Sequence, residues 1–294
     1  MVDNSLLRHV RASKKQPSRL LTKRGISGGM ADVSHQSLQP QHLELPGARV
    51  TLLPALRYAV RYTPERAVIG FAFASQKGWH AFGSDRARPF RTAANGLALT
   101  PPGCEVRSES RAGGEYMTIA LDAVDAAAVR GRQFTDRIDG AAIRAAYALR
   151  RHVLDGARGD GEDAAVAELQ VLAACAAASD GAGVARDRVM TASRLDAIDA
   201  LVDRCLAEPP SVEVLARAIG LSPSYFLRAF RREVGMTPHA YALERRLQHA
   251  RRDILTSKRS LAAIAADFGF ASHAHMTTVF KAKLGVAPSA LRGV

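Results

Sequence analysis

Cysteine and tryptophan are scarce in this chain: three of one and one of the other among 294 residues. Cys104, Cys175 and Cys205 lie far apart and form no CxxC pair. An odd, dispersed set supports neither a disulfide framework nor a thiolate metal site, and predicts reduced thiols in a cytoplasmic protein. Cys175, in "LAACAAASD", reads as a small residue for helix packing. No apolar run approaches the roughly 18 residues of a membrane span. The basic first residues lead into no apolar segment of the secretory-signal kind. Catalytic punctuation is missing as well, with no GxSxG, no P-loop and no dinucleotide-binding glycine fingerprint. Residues 40–135 hold only His42 and His80, and "GWHAFG" around the second contains no His-x-His pair. A metal centre needs three or four good ligands. These absences predict no catalytic residues, no metal, no cofactor and no membrane partner.

Acidic residues are also in short supply, and the net charge is +13. The excess is uneven. Residues 1–29 carry seven Lys/Arg against one Asp, residues 193–294 carry fifteen basic against nine acidic side chains, and the stretch between is almost neutral. A basic folded end predicts a polyanionic partner. The N-terminal segment, residues 1–40, is polar and basic without periodicity, and is predicted to be disordered. Residues 1–29 read either as an arm that touches phosphate or, the favoured reading, as the product of an early start codon, with Met30 opening the protein at "MADVSHQSL".

Between residues 41 and 135, short β-favouring runs alternate with turn residues. They are "RVTLL" (49–53), "AVIGFAFAS" (67–75), "GLALTP" (96–101), "CEVRSES" (104–110) and "EYMTIALD" (115–122). Several strands with no helix between them predict a β-barrel or sandwich. Ala-, Leu- and Arg-rich helices are then expected over 123–133, 140–157 and 162–179. In the last, Ala165, Leu169, Leu172 and Ala176 form one apolar face, which meets either the barrel or the same face of a second subunit in a homodimer. Residues 136–180 are thus the candidate dimerisation region, and 181–192 the linker. Trp79, His80 and Arg86 are candidates for lining a ligand pocket, and equally fit the surface at strand ends.

The last hundred residues, 193–294, repeat themselves. Leu261, Ile264, Ala265, Phe268 and Gly269 match Val212, Leu215, Ala216, Ile219 and Gly220 at an offset of 49. After one inserted turn residue, Ser272, Met276, Phe280, Leu284, Gly285 and Pro288 match Ser222, Phe226, Phe230, Val234, Gly235 and Pro238 at an offset of 50. Each unit is a helix pair with a Gly turn, a Ser cap on the second helix and a Gly stop, the helix-turn-helix pattern. A helix over about 238–256 joins them, with Ala240, Leu243, Leu247, Ala250 and Ile254 on one face and "ERR" and "RR" on the other. Nineteen residues span roughly 28 Å at about 1.5 Å per residue, close to the roughly 34 Å between successive major grooves on one side of B-DNA.

Residues 195–292 resemble the DNA-binding domain of the AraC/XylS family of bacterial transcription regulators. The second unit, "IAADFGFASHAHMTTVFKAKLGVAPSALR", follows that family's signature almost position for position. The resemblance implies an α+β protein: an N-terminal cupin-like β-barrel with flanking helices, and a C-terminal all-α double helix-turn-helix domain. It implies a regulator, an activator in many members, with promoter DNA and RNA polymerase as partners and a small-molecule effector on the N-terminal domain. Recognition helices are expected over about 223–234 and 273–284. The resemblance puts Ser224, Leu227 and Arg228 of the first, and His273, Ala274, Thr277 and Thr278 of the second, in base-reading positions. Arg228 is suited to guanine O6 and N7, and Leu227 to a thymine methyl. Tyr225, Arg231, Arg232, Lys281 and Lys283 are expected on phosphate. The second set departs from the long polar residues of many members, so that unit is expected mainly to position the protein.

Overall fold

Alternation in the strands decides where the core forms. In β2 (Ala48–Leu53) and β9 (Tyr116–Leu121) every second residue is buried, as a sheet covered on one face requires. The computed structural model describes residues 39–121, 133–156, 161–178 and 188–292. Most of the basic N-terminal segment, nearly all of the helix expected over 123–133 and most of the linker over 181–192 lie outside the described residues.

Ten strands form among these residues. The others are β1 (Gln41–Leu45), β3 (Tyr58–Tyr62), β4 (Val68–Ala72), β5 (Gln76–Phe82), β6 (Arg88–Thr92), β7 (Leu97–Thr100), β8 (Val106–Ser110) and β10 (Phe134–Arg137). They make two antiparallel sheets, one of six strands in the order β1-β2-β9-β4-β7-β10 and one of four in the order β3-β8-β5-β6. Among the described residues neither sheet closes into a barrel. At the β10 edge the β10–β7 ladder shifts register between Phe134 and Arg137, and Asp136 adopts a left-handed φ of 67°. The chain then turns directly into a helix. Two helices, α1 (Gly140–Asp155) and α2 (Gly161–Ala177), pack over one face of the six-stranded sheet, from β1 across to β7.

Those helices also locate the core, which lies between them and the six-stranded sheet. Phe71, Ile69, Leu97, Leu99, Met117 and Ile119 meet Ala142, Leu149 and Val153 of α1 and Ala165, Leu169, Leu172 and Ala176 of α2. The apolar stripe of α2 is therefore buried within the chain and is unavailable to a second subunit. Asp139 caps α1 by accepting from the Ala141 and Ala142 amides, and Gly156 ends it in the left-handed region. Cys175 is half-buried beside the Asp139 carboxylate, and none of the three cysteines forms a disulfide.

Seven helices follow: α3 (Ala192–Arg204), α4 (Val212–Ala218), α5 (Pro223–Val234), α6 (Pro238–Thr256), α7 (Leu261–Asp267), α8 (His273–Leu284) and α9 (Pro288–Arg292). Thr191, Ser211, Ser222, Thr237, Ser260 and Ser272 each cap a helix through the side-chain oxygen. Gly235 and Gly285 end α5 and α8 with φ of 76° and 78°, where a side chain would be strained. Two small cores result. The first gathers Ile198, Val202, Leu215, Phe226, Phe230 and Tyr241, and the second Leu247, Ala250, Ile264, Met276, Phe280 and Leu284. The long helix α6 contributes to both.

The charged face of α6 differs from its sequence expectation. Glu244 is buried, and Arg245 and Arg251 are largely buried in ion pairs. The reason is that Glu244 and Arg251 dock on Arg150 and Glu115 of the N-terminal half, while Arg245 pairs with Asp203 of α3.

Candidate nucleic-acid interface

Each second helix presents one face to its core and the other to solvent. On α5, Phe226, Ala229, Phe230 and Val234 point inward. Ser224, Tyr225, Arg228, Arg231 and Arg232 are exposed, and Leu227 is half-buried. On α8, Met276, Phe280 and Leu284 are buried, while His273, Ala274, Thr278, Lys281 and Lys283 are exposed and Thr277 is half-buried. The two sequence-derived sets therefore each share one helix and one outward aspect. The described residues of the N-terminal half do not cover them.

Several of these side chains are already engaged. Arg232 donates to Glu233 at 2.6 Å, and Glu233 in turn accepts from the Val189 and Met190 amides. Thr277 donates its hydroxyl to the His273 carbonyl at 3.0 Å, and Thr278 to the Ala274 carbonyl at 3.1 Å. With the hydroxyl turned back on the helix, what a threonine offers outward is its methyl group.

Two further residues escaped the sequence reading. His275 accepts the Ala271 N–H at its Nδ1 (3.2 Å), which fixes an exposed imidazole at the start of α8, and its backbone N–H donates to Oγ of the cap Ser272. Arg246, in the middle of α6, donates to the carbonyls of Leu206 (2.8 Å), Ala207 (3.0 Å) and Gly269 (3.3 Å). It thereby ties the α3–α4 connection of the first unit to the turn of the second. Gly269 makes that closeness possible, since a Cβ there would fall 2.2 Å from the Ala207 carbonyl oxygen. The only sequence signal for Arg246 is its place in "ERR", which does not distinguish it from its neighbours.

Trp79, His80 and Arg86 do not converge. Neighbours in a strand point to opposite faces. Trp79 is 51% exposed on the outer face of the four-stranded sheet, across from Glu109 and Pro89. His80 is half-buried on the inner face, stacked on Phe90 at 4.9 Å, and burial lowers its pKa, helped by Arg88. Arg86 is exposed in the loop after β5. The inner face holding His80 also carries Gln76, which accepts from the Tyr58 hydroxyl at 3.2 Å. Facing that side, on the six-stranded sheet, Tyr116 of β9 lies over Gly70 of the neighbouring β4 so closely that a Cβ there would lie 1.9 Å from its hydroxyl. Among the described residues no group of three or more His, Cys, Asp or Glu side chains has the arrangement to hold a metal, and no helix is long and apolar enough to cross a membrane.

Two helix-turn-helix units in tandem, sharing a connecting helix and exposing their second helices, define a double helix-turn-helix DNA-binding domain. Residues 215–293 match the family described as a helix-turn-helix domain. The regulatory protein SoxS of Escherichia coli K12 is 31% identical over 93 residues, which are 32% of this chain and 87% of SoxS. A probable transcriptional regulator, LumQ of Photobacterium leiognathi, is 30% identical over 92 residues, 31% of this chain and 37% of that protein. A solved transcriptional regulator with an AraC-type DNA-binding domain, from Chromobacterium violaceum, is 27% identical with a TM-score of 0.33, over 34% of this chain and 90% of that one. The chain thus spans most of SoxS but little more than a third of LumQ. It belongs to the AraC/XylS family of transcription regulators.

Proposed function

We propose that this chain is a sequence-specific, DNA-binding transcription regulator that inserts α5 and α8 into successive major grooves on one face of promoter DNA. The observation that carries this reading is the matched pair of exposed helix faces, Ser224, Leu227 and Arg228 on one and His273, Ala274, Thr277 and Thr278 on the other. Arg228 pairs with guanine, Ala274, Thr277 and Thr278 contact thymine methyls, His273 meets a base or phosphate, and Tyr225, Arg231, Arg232, Lys281 and Lys283 hold phosphates. Footprinting of the purified protein, beside Arg228→Ala, on DNA upstream of its own gene and its neighbours tests this. Protection of two adjacent major grooves, weakened by the substitution, is the expected result. Protection no better than nonspecific background, with every fragment tried, would sink the reading.

Residues 41–135 and 136–180 serve as the sensing part and residues 193–294 as the reader, acting as an activator through RNA polymerase. Deletion of the gene is expected to lower transcription beside the protected site; a rise would reverse the sign of the regulation. Support for an effector comes from the facing sides of the two sheets. His80, Gln76, Tyr58 and Tyr62 on one and Tyr116 on the other offer hydroxyl, amide and aromatic groups to a small polar molecule. An effector of that kind would change DNA affinity. A chain whose affinity responds to no small molecule would be a ligand-independent regulator.

A further inference from the structure

The C-terminal ends of α5 and α8, the two helices assigned to the grooves, rest on one helix of the N-terminal half, α1. Gly235, which stops α5, sits against Ile143, and a Cβ there would fall 2.2 Å from its Cδ1. Gly285, which stops α8, sits against the backbone of Arg151 and the Cβ of Asp155, where a Cβ would meet the Arg151 carbonyl oxygen at 3.3 Å. Leu154 packs at once on the N-terminal core and on the core of the second unit. Between these two seats Arg150 reaches Glu244 in the middle of α6. The contacts run over residues 143 to 155, roughly 18 Å of helix.

A second element of the same half reinforces the first seat. The turn between β6 and β7 packs Ala93 and Ala94 into the core of the first unit. Its Asn95, held at a left-handed φ of 68°, donates to the Val234 carbonyl at 2.6 Å and accepts from the Tyr147 hydroxyl. The last turn of α5 is therefore held by the N-terminal half through a hydrogen bond as well as through packing.

A connecting helix alone sets the distance between two units but leaves small rotations about its ends, and these move a recognition helix along its groove. We infer that α1 is a splint: it fixes the separation and rotation of α5 relative to α8, which makes the N-terminal half a positioning part of the DNA reader. Ile143 and Leu154 are its two positioning residues. The inference rests on the two-groove reading proposed above.

The test uses the full-length protein and a duplex that it selects from a random pool. Variants of that duplex lengthen or shorten, by one or two base pairs, the spacer between the two protected segments. The wild-type protein is expected to prefer one spacing sharply. Ile143→Ala and Leu154→Ala are each expected to lose about tenfold at that spacing, the order of cost of a mismatched base pair, while binding the altered spacings as well as wild type does. Val166→Ala, which trims the same N-terminal core on α2 without touching the C-terminal units, should keep the wild-type preference. Ile143→Val supplies a milder change at the first seat should the alanine variant fail to fold. Seat variants that keep the wild-type ratio across spacings would overturn the splint while leaving two-groove reading intact, and so would a Val166→Ala protein that loses the preference equally. A wild-type protein indifferent to spacing would remove the two-groove reading itself and the splint with it.

Discussion

Arg150 and Glu244, 94 residues apart, form a two-pronged ion pair inside the protein, with Nη1 2.5 Å from Oε1 and Nη2 3.2 Å from Oε2. Neither side chain reaches more than a trace of solvent. Arg150 also donates to Glu115 at 2.9 Å, Glu115 accepts from Arg251, and the guanidinium lies over the rings of Phe73 and Tyr147. Burial opposes the charge on Glu115, yet the two arginines outweigh it and hold its carboxyl below the usual range. The N-terminal half and the double helix-turn-helix domain are joined by this four-residue cluster.

Removing one partner leaves a buried charge exposed to its own desolvation. Arg150→Met should cost about 3–5 kcal/mol of stability, read as a fall in the denaturant midpoint. Glu244→Gln, which keeps shape and part of the hydrogen bonding, should cost less. Equal stability of Arg150→Met and wild type would mean that the cluster is solvated in solution.

Base and phosphate contacts separate by their salt dependence. Arg228→Ala should lose about 1–3 kcal/mol of binding to the preferred duplex and relax selectivity at one base pair. Lys281→Ala should weaken binding to all sequences alike and flatten the slope of log affinity against log salt by about one. An Arg228→Ala protein showing only the second behaviour would move that residue to the phosphate backbone.

Thr278 hydrogen-bonds its own helix, so its hydroxyl is not needed to read a base. Thr278→Val keeps the methyl and should bind within about twofold of wild type, well under the loss of about tenfold that 1.4 kcal/mol represents. A loss of tenfold or more would show that the hydroxyl leaves Ala274 to bond the DNA.

Asp203 links acidity to stability. Burial pushes its pKa up, but His249 and Arg245 outweigh it and bring the value down to about 2. The ionised form is thus favoured by folding, since an unperturbed Asp titrates near 3.9. Stability from this site is present above about pH 4 and is lost as the pH falls towards 2. Thermal melts of wild type against Asp203→Asn should converge over that window, and parallel curves would count against the pairing with Arg245.

The helical third was legible because its determinants are local. Ser222 and Ser272, Gly235 and Gly285, and the spacing of Phe226, Phe230, Met276 and Phe280 act within a few residues of themselves, so caps and apolar period suffice. Even there the repeat misleads at one place. Phe268, the counterpart of Ile219, stays half-buried, while Phe270 fills the second core. The inserted turn residue shifts which ring reaches inward.

The strands were legible where both faces are apolar, as in β4, or where alternation is clean, as in β2 and β9. Expectation missed β1, β3, β5, β6 and β10, whose residues are largely polar, aromatic or charged and which lie at edges or in the four-stranded sheet. "YAVRY" and "QKGWHAF" alternate, but with polar and aromatic residues on the inner face, because neither face of that sheet joins the main core.

By itself, then, the sequence determined the double helix-turn-helix domain, its caps and cores, and the outward faces of α5 and α8, because each depends on contacts within one short segment or its repeat. Only the tertiary structure decided that the charged face of α6 is an interior surface, that the α2 stripe covers a sheet, and that Ile143, Arg150 and Leu154 bridge both units. Those outcomes depend on which distant groups desolvate one another. An arginine in "RR" reads the same whether it meets water or a glutamate brought to it from more than a hundred residues away.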